Sequence, residues 1–183
     1  QPKAYLNELM NDDSKEQLPE ENTFDTSPYS ILVVDDNPDL TDFLKKSLGE
    51  YFKRVVIASD GVEALQLTRN HAPDIIVSDV MMPEMNGFEL CRTIKSQLPF
   101  SHISVILLTA LTDERQRIFG ITGGADDYIQ KPFHTDYVKI KIIHLLQERQ
   151  KLRERLLEKL RDNKLLLSEP EKAVSYTHLR AHE

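Results

Sequence analysis

Five short apolar runs, each followed by a segment with helical spacing, constrain the fold of this chain more than any other feature. Each run is short enough to be one buried strand, and the runs are Ile31–Val34, Val55–Ala58, Ile75–Val77, Val105–Leu108 and Tyr128–Ile129. Runs that are apolar throughout, rather than alternately apolar and polar, are typical of parallel strands buried on both faces. The pattern therefore favours a parallel sheet over an antiparallel one.

The segments between and after these runs have the spacing of amphipathic helices. They cover Asp39–Tyr51, Gly61–His71, Gly87–Gln97, Asp113–Thr122 and a long stretch from Thr135 to about Leu167. In the first, Leu40, Leu44 and Leu48 recur at intervals of four and fall on one face. Strict alternation of strand and helix predicts an α/β fold, a doubly wound sheet with right-handed crossovers and helices on both faces.

Composition and charge exclude several classes of protein. The chain of 183 residues is 40% hydrophobic and 29% charged, and its longest apolar runs are far below the roughly 18 residues that span a bilayer. Its single cysteine, Cys91, forbids an internal disulfide, so we expect a reducing, cytoplasmic location. The net charge of −7 and the interleaved Glu residues of the one basic block, Gln147–Leu167, favour a solvated helix over a nucleic-acid footprint. We therefore expect neither direct nucleic-acid binding nor membrane contact.

Acidic residues follow two of the predicted strands. Asp35 and Asp36 come after the first strand and Asp79 after the third. Because the carboxyl ends of parallel strands meet in one crevice, these carboxylates should converge there, where an ion such as Mg²⁺ would offset their repulsion. An alternative is that they are helix N-caps, since Asp36 or Asn37 could cap the helix that begins near Pro38. Capping explains one of the three acids.

Two further strand ends complete a candidate site for phosphoryl chemistry. Thr109 follows the fourth strand and offers a hydroxyl, and Lys131 follows the fifth and offers a positive charge. Transfer of a phosphoryl group needs an in-line nucleophile, a metal ion and a cation. Asp79, Mg²⁺ and Lys131 match these roles, which predicts that Asp79 becomes an acyl phosphate.

Four motifs in order resemble the receiver domain of two-component response regulators over Tyr29–Arg149. The motifs are Ile31-Leu32-Val33-Val34-Asp35-Asp36-Asn37, Asp79-Val80-Met81-Met82-Pro83-Glu84-Met85-Asn86-Gly87, Leu107-Leu108-Thr109-Ala110 and Gly124-Ala125-Asp126-Asp127-Tyr128-Ile129-Gln130-Lys131-Pro132-Phe133. The resemblance implies a flavodoxin-like fold with a five-stranded sheet in the order 2-1-3-4-5. It also implies that Asp79 accepts phosphate from a histidine kinase phosphohistidine, with Asp35, Asp36 and the backbone carbonyl of Met81 organising Mg²⁺.

The resemblance implies further roles. Thr109 and Tyr128 would form a switch pair, in which Thr109 bonds the phosphate and Tyr128 turns inward. Lys131-Pro132 would be joined by a cis peptide bond. The domain would catalyse only its own phosphorylation and dephosphorylation, so we expect no independent enzyme activity.

Two apolar residues near the site predict a long-lived phosphoprotein. Met81 stands two residues after Asp79, and Leu111 stands two residues after Thr109. Neither side chain can readily orient a water molecule for attack on an acyl phosphate.

Three rival interpretations are weaker. A flavodoxin-type cofactor site would be repelled by Asp35 and Asp36, and a haloacid-dehalogenase-type phosphatase carries Asp-x-Asp, whereas this chain has Asp35-Asp36-Asn37. The serious rival is a docking module that works without phosphorylation. Against it stands the complete set of Asp35, Asp36, Asp79, Thr109 and Lys131.

The chain divides into five predicted segments. They are an acidic linker (1–28), the receiver domain (29–149), an extended signalling helix (150–167), a linker to an output domain (168–173) and a tail (174–183) that resembles a translated sequencing adapter. This layout resembles the receiver part of hybrid sensor proteins, which carry a histidine kinase upstream and an AraC-type output domain downstream. The long helix would pair two copies in parallel or only connect domains, unless it frays past Arg149.

Overall fold

The computed structural model describes residues 24–110 and 124–167 and contains a five-stranded parallel sheet in the order β2-β1-β3-β4-β5. The strands are β1 (Ser30–Val34), β2 (Arg54–Ala58), β3 (Ile75–Asp79), β4 (Ser104–Thr109) and β5 (Asp127–Gln130). All five predicted strands are present, and neighbouring strands pair in parallel. The predicted fold class and strand order are therefore confirmed.

Four helices lie in the described part of the chain: α1 (Pro38–Gly49), α2 (Gly61–His71), α3 (Gly87–Ser96) and α4 (Thr135–Leu167). The helix predicted over Asp113–Thr122 lies outside the described residues. The first three begin at polar caps: Asn37 accepts hydrogen bonds from the first turn of α1, Asp60 caps α2, and Asn86 forms a capping box with Glu89 on α3.

The sheet separates two hydrophobic cores because successive side chains of a strand point to opposite faces. On β1, Ile31 and Val33 join one core, and Leu32 and Val34 join the other. The first core also contains residues of α1 and α4, and the second contains residues of α2 and α3. Each core thus holds one pair of helices against one face of the sheet. The carboxyl ends of the strands lie between these two helical layers.

Helix α4 has a buried half and an exposed half. Val138, Ile142 and Leu146 pack into the first core, with at most 1% of their surface exposed. Beyond them the helix continues to Leu167, and every described side chain over 151–163 is exposed. The predicted long C-terminal helix is confirmed, and it does not end at Arg149. No helix in 24–110 or 124–167 is long and apolar enough to cross a membrane.

Contacts with the domain start before β1. The ring of Phe24 stacks on Tyr29, with 5.5 Å between the ring centroids, and packs against the first core. The hydroxyl of Thr26 donates a hydrogen bond to the carbonyl of Tyr51. These contacts lie in the final residues of the predicted linker. Most of that linker and the predicted segments 168–173 and 174–183 fall outside the described residues.

The close approach of α3 to β3 requires glycine at position 87. A Cβ atom there would collide with the carbonyl oxygen of Asp79 and would lie 3.0 Å from the Cα of Val80. The Gly87 N–H also donates to the Val80 carbonyl at 3.0 Å. The start of α3 therefore lies directly against the end of β3.

Replacement of Ile142 by Ala should destabilise the protein by about 2–5 kcal/mol, because the side chain is fully buried and its loss leaves a cavity. The matched control is Ile140→Ala on the same helix, where the side chain is 59% exposed and the cost should stay within about 0.5 kcal/mol. Urea unfolding measures both. Equal losses at the two positions would contradict the docking of α4 described above.

Replacement of Gly87 by Ala should lower the free energy of unfolding by more than 1 kcal/mol, roughly the scale at which core overpacking costs stability. The collision is with rigid backbone rather than with a side chain that can move. Gly49→Ala is the control, because no atom lies within 4 Å of a Cβ placed there. If thermal unfolding shows Gly87→Ala to be as stable as Gly49→Ala, the packing of α3 on β3 is looser than described.

Candidate functional site

Backbone hydrogen bonds just beyond the strands align the carboxyl edge of the sheet. The Asp35 N–H donates to the carbonyl of Ala58 at 3.1 Å, and the Lys131 N–H donates to the carbonyl of Thr109 at 2.7 Å. Within the sheet, Asp79 on β3 is paired with Leu108 on β4. This alignment brings the ends of β1, β3, β4 and β5 to the same level, as the parallel topology requires.

Three carboxylates meet at this edge. Oxygen atoms of Asp35, Asp36 and Asp79 lie within 4.8 Å of one another. Asp35 is 2% exposed and Asp79 is 7% exposed, whereas Asp36 is open to solvent. None of the three caps a described helix: the cap of α1 is Asn37, whose own N–H donates to Asp35 at 2.9 Å. The alternative in which these acids are N-caps is therefore wrong.

Lys131 stands between two of these carboxylates. Its Nζ atom lies 3.1 Å from Asp35 Oδ2 and 3.3 Å from Asp79 Oδ1. Burial is the largest single cause acting on Lys131 and lowers its pKa. The hydrogen bonds and negative charges of Asp35 and Asp79 together outweigh burial, so the pKa of Lys131 is raised. The ammonium group therefore stays protonated and offsets part of the negative charge of the cluster.

The electrostatic environment of Asp79 differs from that of a surface aspartate. Burial is the largest cause acting on its carboxyl and raises its pKa, and the nearby charge of Asp35 raises it further. The charge of Lys131 and hydrogen bonds from Lys131 and from the Met81 backbone act in the opposite direction. Together these effects raise the pKa of Asp79 above its usual value. A carboxylate held in this way is poorly solvated, and additional positive charge stabilises it.

The donor set matches the chemistry of Mg²⁺. The cluster offers carboxylate oxygens only, from two buried side chains and one exposed side chain. A hard divalent cation prefers oxygen ligands and keeps several waters, which the solvent-exposed side next to Asp36 would admit. The residues present therefore fit a magnesium ion, with Asp35, Asp36 and Asp79 as the groups that would hold it.

The loop after β3 borders the cluster on the outside. The side chain of Met81 is 67% exposed, and its backbone N–H hydrogen-bonds to the Asp79 carboxylate. Glu84 in the same loop has a φ of 63°, which is uncommon for a residue with a side chain. The residue that contacts the Asp79 carboxylate through its backbone thus exposes its own side chain to solvent. The role of the Met81 carbonyl as a metal ligand stays a prediction.

Thr109 and Tyr128 lie on adjacent strands. Thr109 ends β4 and is buried, and Tyr128 on β5 is paired with Leu107, two residues earlier on β4. The Tyr128 hydroxyl is buried and has no hydrogen-bond partner among the described residues. Burial raises the pKa of Tyr128 to about 12, with smaller contributions from Cys91 and Asp126. Tyr128 as a whole is half-buried and packs against the second core.

Two other predicted residues have different outcomes. The Lys131-Pro132 peptide bond is cis, as the resemblance implies. Leu111 lies outside the described residues. The need for glycine at position 87 does not follow from the sequence alone, because the collision depends on how α3 approaches β3. The only local signal was a glycine directly after the cap Asn86.

Comparisons with known proteins agree with this geometry. The family model of the response regulator receiver domain matches residues 31–143. A hybrid signal transduction histidine kinase D from Dictyostelium discoideum is 40% identical over 116 residues, which are 63% of this chain and 7% of that protein. Histidine kinase P4 from Formosa agariphila is 37% identical over 145 residues, which are 79% of this chain and 10% of that protein.

A solved structure is also similar. It is the signal receiver domain of a signal transduction histidine kinase from Syntrophus aciditrophicus, 38% identical, with a TM-score of 0.63 and coverage of 66% of this chain and 91% of that one. The two curated kinases are far longer than the matched region, so the match concerns this domain and not their full activities. With the family model covering more than half of the sequence, the chain belongs to the response regulator receiver domain family.

Proposed function

We propose that this domain works in a phosphorelay, in which Asp79 accepts a phosphoryl group from a histidine kinase and the change controls an attached output domain. The observation that carries this proposal is the position of the Asp79 carboxylate. It is buried, lies 3.3 Å from the ammonium of Lys131, and shares a cluster with the carboxylates of Asp35 and Asp36. A docking module that is never phosphorylated has no need of this arrangement.

The transfer is a substitution at phosphorus. An oxygen of ionised Asp79 attacks the phosphorus of phosphohistidine, a new P–O bond forms, and the P–N bond breaks with its electron pair passing to the imidazole nitrogen, which takes a proton from solvent. Lys131 remains protonated and binds a phosphoryl oxygen, which offsets the spread charge of the transition state. Magnesium, when bound by the three carboxylates, supplies the additional positive charge that they and the phosphoryl group need.

A switch at β4 and β5 would carry the signal away from Asp79. The hydroxyl of Thr109 is the group on β4 that would bond the new phosphoryl oxygen. A shift of Thr109 would alter the packing next to Tyr128, whose buried hydroxyl lacks a hydrogen-bond partner among the described residues. Because β5 is followed by α4, repacking there reaches the helix that leaves the domain.

The phosphoryl donor is proposed to be a histidine kinase, and the parent protein is proposed to be a hybrid of kinase and receiver. Two relatives named as histidine kinases support this view, one of them over 79% of this chain. A cytoplasmic location follows from the same proposal, since a kinase of this class uses ATP inside the cell. The AraC-type output domain rests only on the resemblance in sequence layout.

Incubation with acetyl phosphate and Mg²⁺ should add one phosphoryl group to the wild-type chain, measured by intact-protein mass spectrometry. The Asp79→Asn variant should gain none, because its amide is not a nucleophile, and excess chelator should abolish the gain in the wild type. The matched control is Asp42→Asn, which removes an exposed carboxylate on α1 and should leave the reaction unchanged. Addition of the group to Asp79→Asn at the wild-type rate would exclude Asp79 as acceptor.

The lifetime of the phosphorylated state should depend on Met81. Its side chain is exposed, stands two residues after Asp79 and is apolar, so it cannot orient a water molecule. Replacement of Met81 by Asn should shorten the half-life of the adduct several-fold in a time course of phosphate loss. Leu98→Asn is the control, because Leu98 is 91% exposed and lies outside the candidate site. A Met81→Asn adduct that outlasts that of the parent would exclude this role.

A further inference from the structure

The residues just before β1 are attached to the domain. These residues, 24–29, are called the strap below. The ring of Phe24 stacks on Tyr29 and packs against the first core. The Tyr29 N–H donates to the carbonyl of Thr26 at 3.1 Å, which folds the strap into a turn, and the Tyr29 carbonyl accepts a hydrogen bond from the Lys53 N–H at 2.9 Å. The strap is therefore held by both apolar and polar contacts.

The strap lies outside the region that the family model matches. That region covers residues 31–143 and starts after the strap ends. The contacts of the strap are therefore a feature of this chain for which the family match does not account. Residues 1–23 are joined to the sheet through the strap.

Tyr51 contacts the strap and α4 at once. Its backbone carbonyl accepts a hydrogen bond from the Thr26 hydroxyl at 2.6 Å. The ammonium of Lys139 on α4 lies over its ring, 4.1 Å from the ring centroid, where the electrons of the ring attract the positive charge. The Tyr51 N–H donates to the carbonyl of Leu48 at 3.0 Å, which ties Tyr51 to the end of α1. One residue thus joins the strap to the helix that leaves the domain.

Lys139 belongs to the part of α4 that is fixed on the domain. Its ammonium lies 3.3 Å from Asp136 Oδ1 in the first turn of the helix, and its side chain is 22% exposed. The adjacent residue Val138 is fully buried in the first core. Because Lys139 is held by its helix, a displacement of the Tyr51 ring acts on the first turns of α4.

The strap and α4 also share the first core. Phe24 packs against this core, and Val138, Ile142 and Leu146 of α4 are buried in it. Protein interiors are packed densely, so a change in position on one side of a core is transmitted to the other. The apolar contact and the link through Tyr51 therefore act on the same, docked half of α4.

We propose that the strap is a conformational coupling element, which joins the segment entering the domain to α4 through Tyr51, so that release of the strap loosens the start of α4. This route does not pass through Asp79, and it does not depend on phosphorylation. Energetic coupling between two sites is reciprocal, so loosening of α4 at Lys139 must also loosen the strap.

The Lys139 side chain reports the position of the Tyr51 ring in NMR spectra of the full chain. Protons over the face of an aromatic ring resonate upfield, so the ε-methylene protons of Lys139 should be shifted upfield in the parent, and Tyr51→Leu should remove this shift. Thr26→Val should lose part of the shift, whereas Thr26→Ser, which keeps the hydroxyl, should retain it.

The matched control is Thr93→Val, which removes a hydroxyl-to-carbonyl hydrogen bond on α3 and should leave the Lys139 shift unchanged. If Thr26→Val has the Lys139 shift of the parent, or if Thr26→Ser loses as much of it as Thr26→Val, the strap does not position Tyr51 and the proposal is overturned.

Hydrogen exchange tests the coupling in the reverse direction. The Tyr29 amide is protected by its hydrogen bond to the Thr26 carbonyl. Lys139→Met removes the charge and should make this amide exchange about threefold faster, the scale of an exposed cation–π contact. The control is Lys141→Met, because Lys141 lies on the same helix but pairs with Asp127. Equal exchange of the Tyr29 amide in the two variants would overturn the proposal.

Discussion

The ion pairs of one lysine with two buried carboxylates hold the candidate site together. Asp35 and Asp79 are almost wholly removed from solvent, and two such charges close together repel each other strongly unless a cation is present. The Lys131 ammonium lies within 3.3 Å of both. It offsets only part of the charge, because Asp36 adds a third carboxylate to the cluster.

The sheet makes the close approach of these charged side chains possible. Asp35, Asp79, Thr109 and Lys131 each follow or end a strand whose interior is buried on both faces, so their backbones are held by the two hydrophobic cores. Rigid strands fix the distances, and the loops between them supply access from solvent. Lys131 is also only a few residues from the start of α4. The helix that leaves the domain is therefore attached close to the residue that would respond to phosphorylation.

The strands, the four described helices and the convergence of Asp35, Asp36, Asp79 and Lys131 could be predicted from the sequence, because apolar runs define buried strands and parallel topology sets their carboxyl ends together. Other features depend on packing that no local pattern encodes. The obligatory glycine at position 87 follows from how closely α3 approaches Asp79. The same is true of the choice of Asn37 over Asp36 as the cap of α1, since both residue types make good caps.

The site also shows why residue type alone does not define a role. Three aspartates adjoin one another, and Asp79 combines burial, a neighbouring lysine and a raised pKa. Asp35 is more deeply buried and shares Lys131, while Asp36 faces solvent. The three carboxylates of one cluster thus have different environments.

The most direct test of the central claim is to locate the phosphoryl group chemically. Borohydride reduces an acyl phosphate to an alcohol, so reduction of the phosphorylated chain followed by peptide mapping converts the acceptor aspartate into homoserine. The account predicts homoserine at position 79 and nowhere else. Homoserine at position 35 or 36, or an adduct that survives on a histidine or serine instead, would contradict it.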